Sequence, residues 1–107
     1  MPKMADEKRA LGLLGLSMRA GQVISGDDMA EREIRAGRAA LVLIDAGASQ
    51  RTREKYEFLC AGRGISLYTI SADALGRAIG KENRMIATLR PGPLTKQMEA
   101  LLSAATP

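Results

Sequence analysis

Apolar residues recur at helical spacing near the start of the chain. From Asp6 to Ala20 they follow the period of an amphipathic helix: Leu11, Leu14 and Met18, with Leu13 and Leu16 beside them. Gly21 is placed to end this first helix as its C-cap.

A short extended step, Gln22-Val23-Ile24, leads to a second predicted helix. Ser25-Gly26-Asp27-Asp28 offers capping oxygens to its N-terminus, and Gly37 stops it after Ala36. Ala30 and Ile34 give this helix a narrow stripe that we expect to be buried.

Three later segments have the character of strands. Residues 39–44, Ala-Ala-Leu-Val-Leu-Ile, are continuously apolar and too short for a helix, which predicts a central strand covered on both faces. Ile65 to Ile70 and Met85 to Leu89 are predicted to be the next two strands.

Helices are predicted between and after these strands. Ser49 is placed to cap a third helix, whose expected buried face is Thr52, Tyr56, Leu59 and Cys60. Ser71 is placed to cap a short helix that carries Leu75, Ala78 and Ile79 and ends at Gly80. A last amphipathic helix starts near Pro93 and carries Leu94, Met98, Leu101 and Leu102. Such alternation predicts one α/β domain over residues 1–107, layered α/β/α, because helices must cover the apolar faces of the sheet.

The amino-acid composition excludes several classes of function. The chain has 107 residues, 46% hydrophobic and 26% charged, as in ordinary globular domains. No apolar run approaches the roughly 20 residues that span a bilayer, and the charged N-terminus does not suit a signal peptide, so we expect no membrane contact and a cytoplasmic location. With no His and the single Cys60, the usual zinc sites, His-based catalysis and intrachain disulfides are not expected. A net charge of +4 favours an anionic partner such as RNA.

The segment from Ser25 to Gly37 is the most informative stretch for function. A turn feeds the N-terminus of a helix whose free N–H groups suit an anion, and the two aspartates can accept hydrogen bonds from the amino and imino groups of bases. The same residues also fit simple helix capping.

This segment resembles the Gly-x-Asn-Glu-x-x-Lys motif of the kink-turn-binding ribosomal protein superfamily (L-seven-Ae and L-thirty-e), and within it the bacterial YlxQ-like branch. Residues 75–81, Leu-Gly-Arg-Ala-Ile-Gly-Lys, match the superfamily's Leu-Gly-x-Ala-x-Gly spacing, the most specific part of the resemblance. The resemblance covers nearly the whole chain and implies a three-layer α/β/α sandwich with a mixed sheet of about four strands. It further implies a non-enzymatic RNA-binding protein. No dinucleotide or triphosphate motif is present and no long exposed apolar edge stands out, so we expect no cofactor and a monomer. Its expected partners are structured, kink-turn-like RNA, ribosomal RNA included, and ribosomal or translation-factor proteins.

The resemblance also implies an RNA face made of two segments that are distant in sequence and neighbours at one edge of the sheet. One lies at the start of the second helix and the other in the loop after the Leu-Gly-x-Ala-x-Gly motif. The residues are Gly26, Asp27, Asp28 and Arg32, with Lys81, Glu82, Asn83, Arg84 and Met85.

Two positions depart from the superfamily motif. Asp28 stands in place of Asn and Met29 in place of Glu, so an amide donor is absent and an acceptor is replaced by a thioether. Arg32, Lys81 and Arg84 keep the capacity to pair with phosphates. A protein-interaction module that has kept the fold without specific RNA binding is therefore an alternative hypothesis.

An enzymatic alternative uses Asp45, which follows an apolar strand where a doubly wound fold can place a phosphoacceptor carboxylate. A receiver-like site would also need an acidic pair at an earlier strand end, whereas Asp27 and Asp28 sit at the start of a helix. We predict no catalytic residues and no metal site.

Overall fold

The computed structural model describes residues 4–104, and within them five helices alternate with four strands. Their bounds are α1 (Met4–Arg19), β1 (Val23–Ser25), α2 (Asp27–Arg35), β2 (Leu41–Asp45), α3 (Gln50–Ala61), β3 (Ser66–Ile70), α4 (Ala74–Ile79), β4 (Ile86–Leu89) and α5 (Pro93–Ala104). Every helix and strand predicted from the sequence is present, with ends shifted by one or two residues.

The four strands form a mixed sheet in the order β1-β4-β2-β3. Strand β4 runs antiparallel to both of its neighbours, and β2 runs parallel to β3. All five residues of β2 are buried, which confirms the predicted central strand. This continuous burial explains why the segment is apolar at successive positions.

Two hydrophobic clusters lie on opposite faces of the sheet, because successive side chains of a strand point to opposite sides. Leu41 and Leu43 belong to the cluster that includes α1, α4 and α5. Val42 and Ile44 belong to the cluster under α2 and α3. The predicted three-layer α/β/α arrangement is thereby confirmed.

The buried face of α1 differs from the predicted one. Leu14 is fully buried as expected, but Leu16 is 45% exposed, while Ser17 and Glu7 are buried. The Glu7 carboxylate accepts hydrogen bonds from the backbone N–H of Ser71, at 2.9 Å, and from its hydroxyl, at 3.0 Å. Glu7 can be buried because its carboxylate has these partners, and hydrophobic spacing cannot reveal such a position. The buried hydroxyl of Ser17 has no partner among the described residues.

The predicted cap of α4 was wrong. Ser71 is engaged with Glu7, and the N-cap position is occupied by Asp73 in a left-handed conformation, without a side-chain capping bond. Ser49 does cap α3 as predicted, since its hydroxyl accepts from the N–H of Thr52 at 3.2 Å.

None of the helices in the described part of the chain is long and apolar enough to cross a membrane.

Candidate functional site

One edge of the sheet collects the ends of several elements. Strands β1, β2 and β3 run in the same direction, so their carboxyl ends lie together, and antiparallel β4 begins at the same place. Helices α2, α3 and α4 follow these three strands, and their N-termini therefore start at this edge. Helix N-termini carry partial positive charge, which suits an anionic partner. We call this region the carboxyl edge.

The start of α2 is built around Gly26 as its N-cap residue. Its φ of 95° lies in a region that side-chain-bearing residues rarely adopt, so the turn requires glycine. The backbone N–H of Gly26 bonds to the carbonyl of Ile86, and its own carbonyl accepts from Ala30 at 2.9 Å. No side chain caps the helix, so the expected capping by Ser25, Asp27 or Asp28 was wrong.

The two aspartates at this helix start have different environments. Lys55 donates to the Asp27 carboxylate at 2.9 Å, and the hydroxyl of Tyr56 lies 2.6 Å from the same oxygen. The hydrogen bond from Tyr56 and then that from Lys55 lower the pKa of Asp27, more than its partial burial raises it. Asp28 is exposed, and no partner is found for its carboxylate among the described residues.

The loop from residue 80 to 85 lies close to α4 because of Gly76. A Cβ at this position would come within 2.6 Å of the Lys81 carbonyl oxygen, so only glycine allows the contact. The N–H of Lys81 bonds back to the carbonyl of Gly76 at 3.0 Å. Farther along, Asn83 has a φ of 60°, a left-handed conformation that Asn tolerates better than most residues. Together these features shape the loop that leads into β4.

Arg84 connects this loop to the start of α2. Its guanidinium donates to the carbonyl of Ser25 at 3.4 Å. It also covers Gly26 so closely that a Cβ there would clash with a guanidinium nitrogen. The two segments that the sequence predicted to be neighbours are therefore in contact.

Two open grooves flank Arg84. The first has a volume of about 490 Å³ and lies between α4 and the loop. It is lined by Asp73, Gly76, Arg77, Gly80, Lys81, Glu82, Asn83, Arg84 and Met85. The second, of about 450 Å³, lies between the loop and α2. It is lined by Gly26, Asp27, Thr52, Glu82, Asn83, Arg84, Met85 and Ile86.

Seven of the nine predicted site residues line these grooves, and two do not. Asp28 and Arg32 are exposed on α2, where they border a shallow depression with Glu31 and Arg35. The sequence analysis missed the other groove residues, Thr52, Asp73, Gly76, Arg77, Gly80 and Ile86. Gly76, Arg77 and Gly80 belong to the Leu-Gly-x-Ala-x-Gly motif and could have been included on that signal. Thr52 was expected only on the buried face of α3, but it is half-buried and lines the second groove.

Asp45 also lies at the carboxyl edge, but its carboxylate is fully buried. One oxygen accepts from the N–H groups of Gly47, at 2.8 Å, and Asp73, at 3.1 Å, and the other from Leu75 at 3.4 Å. The side chain thus satisfies the start of α4 from a neighbouring strand. A receiver-like phosphoacceptor needs an exposed carboxylate, and the Asp45 carboxylate is buried.

Comparison with known proteins gives one family. Residues 8–96 match the model of the ribosomal protein L7Ae/L30e/S12e/Gadd45 family. The chain is 37% identical over 91 residues to the RNA-binding protein YlxQ of Bacillus subtilis (strain 168), a match covering 84% of this chain and 91% of that protein. A protein of the same name from Enterococcus faecium is 26% identical over 97 residues, covering 90% of this chain and 94% of its own.

Solved structures agree on the fold. A protein with unknown function from Bacillus halodurans superposes with a TM-score of 0.83 at 28% identity, covering 88% of this chain and 96% of that one. The Giardia lamblia 15.5kD RNA binding protein also gives a TM-score of 0.83, at 20% identity, covering 96% of this chain and 89% of that one. At the lower identity the likeness concerns the fold alone.

Proposed function

Because the chain belongs to the ribosomal protein L7Ae/L30e/S12e/Gadd45 family, we propose that it binds structured, kink-turn-like RNA in association with the ribosome or the translation machinery. The Bacillus subtilis relative is named as an RNA-binding protein, which supports RNA as the class of partner. We further propose that the protein acts in the cytoplasm as a single-domain monomer, without enzymatic activity or cofactor.

The observation that carries the proposal is the contact between the start of α2 and the loop of residues 80–85. Arg84 joins the two segments through the carbonyl of Ser25 and leaves a groove on each side. A kinked RNA helix presents a bent backbone and exposed base edges, which a concave and polar edge of this kind suits better than a straight duplex does.

The proposed RNA face contains both basic and acidic side chains, and we assign them different roles. Among the nine predicted residues three are basic, Arg32, Lys81 and Arg84, and three are acidic, Asp27, Asp28 and Glu82. None of the three basic side chains has a carboxylate partner within the described residues. They are therefore available to phosphates, while an exposed carboxylate such as Asp28 can accept hydrogen bonds from the N–H groups of bases.

The test compares a kink-turn RNA with a straight duplex of matched length, at low and moderate salt. The variant Lys81→Gln/Arg84→Gln removes two charges at the carboxyl edge. Arg9→Gln/Arg19→Gln removes two charges from exposed positions on α1 and serves as the control. We expect the wild type and the control to prefer the kinked RNA. The loop variant should bind more weakly, and its salt slope should be smaller by about one unit for each phosphate that it no longer pairs with.

Two other results would change the conclusion. Equal and weak binding of both RNAs would leave only general affinity for RNA, without recognition of shape. No salt-sensitive binding at all would refute the proposal and favour the protein-interaction module, for which the thioether of Met29, 51% exposed where the superfamily motif has Glu, is the supporting observation.

A further inference from the structure

We propose that Lys55 and Tyr56 of α3 are positioning residues for the RNA site: they fix the first turn of α2 and occupy one oxygen of the Asp27 carboxylate, which leaves Asp28 as the freer acceptor for base N–H groups. The inference rests on the proposed function, since it assigns roles within that same site. We call Lys55 and Tyr56 the α3 clamp.

Tyr56 forms the buried half of the clamp. Its side chain is fully buried, and its hydroxyl lies 2.7 Å from the carbonyl oxygen of Asp27 and 2.6 Å from the carboxylate of the same residue. A phenol has one proton, so the two acceptors share it. Burial and then the hydrogen bond to Asp27 raise the pKa of Tyr56, which favours the protonated hydroxyl as a donor.

Lys55 forms the outer half of the clamp. Its ammonium group lies 2.9 Å from Asp27 and 2.7 Å from Glu31, two carboxylates one turn apart on α2. Hydrogen bonds to Glu31 and then to Asp27 raise the pKa of Lys55, so the group stays charged. Glu31 is held in turn by Arg35 at 2.8 Å. Lys55 thus contacts two successive turns of α2.

The clamp distinguishes the two aspartates that the sequence could not tell apart. The Asp27 oxygen that faces α3 receives both clamp residues, and a base that bonded to it would have to displace a lysine and a buried tyrosine. Asp28 is the next residue, is exposed, and meets no such competitor within the described residues. The Asp27 side chain is itself 56% exposed, but the clamp occupies one of its oxygens. Asp28 is therefore the carboxylate whose two oxygens can both accept hydrogen bonds from base N–H groups without displacing a neighbour.

The decisive variant is Tyr56→Phe, which keeps the buried ring and removes only the hydroxyl. Tyr68→Phe is the matched control, because Tyr68 is the chain's other tyrosine and none of the described residues bonds to its hydroxyl. We expect Tyr56→Phe to weaken affinity for the kinked RNA by about tenfold, the effect of one hydrogen bond of ordinary strength. Its affinity for the straight duplex and its salt slope should stay unchanged, because every phosphate-pairing side chain is retained. Tyr68→Phe should match the wild type.

A second measurement follows the clamp in the free protein. The N–H of Ala30 makes the first backbone bond of α2, to Gly26, so its hydrogen exchange reports whether the first turn is fixed. Tyr56→Phe and Lys55→Met should each speed this exchange several-fold relative to Ile34 in the same helix. A purely structural role of Tyr56 would instead speed exchange throughout the domain and weaken binding to both RNAs equally.

The results separate the two proposals. If the wild type prefers the kinked RNA and Tyr56→Phe retains that preference in full, the clamp is refuted while the proposed function stands. If the wild type treats both RNAs alike, the proposed function fails and with it the assignment of Asp28. The exchange of Ala30 then still decides whether the clamp fixes α2.

Discussion

Gly76 allows the contact between α4 and the loop that shapes the proposed site, and replacing it by Ala is the sharpest test of that geometry. The added Cβ would meet the Lys81 carbonyl oxygen at 2.6 Å, the Lys81 carbonyl carbon at 3.6 Å and the Arg84 nitrogen at 3.7 Å. All three are backbone atoms, so no flexible side chain can move aside. The loop itself has to retreat by about half an ångström.

Two opposing effects set the magnitude. Ala is favoured over Gly inside a helix by about 0.5–1 kcal/mol. Forcing an extra carbon into a packed contact costs about 1–3 kcal/mol. Because the clash at 2.6 Å is with backbone atoms, we expect the upper part of the steric range, about 2–3 kcal/mol. Gly76→Ala should therefore lower the free energy of unfolding by about 1–2.5 kcal/mol, or roughly 4–20 °C in Tm for a domain of this size.

Gly12→Ala provides the matched control. Gly12 lies within α1, where an added Cβ meets nothing within 4 Å, so only the helix preference remains. Urea denaturation of both variants should therefore show changes of opposite sign, with Gly12→Ala the more stable. Because the loop carries Lys81 and Arg84, Gly76→Ala should also bind the kinked RNA more weakly than Gly12→Ala does. If Gly76→Ala were as stabilising as Gly12→Ala, the close contact of α4 with the loop would be refuted.

Three further predictions concern buried groups. Asp45→Asn should lower the free energy of unfolding by about 2–3 kcal/mol, because an amide cannot accept all three hydrogen bonds from backbone N–H groups. An unchanged urea midpoint would refute the role of Asp45 as the cap of α4. Burial raises the pKa of Glu33, but hydrogen bonds from Arg38 and then Arg90 outweigh this and bring it below 4.5. Stability from Glu33 is therefore present above pH 4.5 and lost as the pH falls through the lowered value, and Glu33→Gln should flatten this decline in acid unfolding curves. Burial, partly offset by Arg63, raises the pKa of the Cys60 thiol to about 11. A disulfide reagent at mildly alkaline pH should therefore label Cys60 only after unfolding, and rapid labelling of the folded protein would contradict its burial.

The spacing of apolar residues predicted the helices and strands of the fold. The run from residue 39 to 44 predicted a central strand, and all five residues of β2 are buried. The cap at Ser49 was also visible, because it depends on a residue only three positions away. The two halves of the proposed site were implied by the family resemblance, and the structure brings them into contact through Arg84 and Ser25.

The roles of the polar residues were decided only by tertiary structure. Asp27 and Asp28 are equivalent in sequence and both are exposed, yet Lys55 and Tyr56 from α3 hold the first, and no partner is found for the second among the described residues. Asp45 looked like a possible reactive carboxylate, but it caps α4 from a different element, 28 and 30 positions away. The physical reason is that apolar spacing records which face of an element is buried. A hydrogen-bond partner instead depends on which elements the chain's crossovers bring side by side at the carboxyl edge.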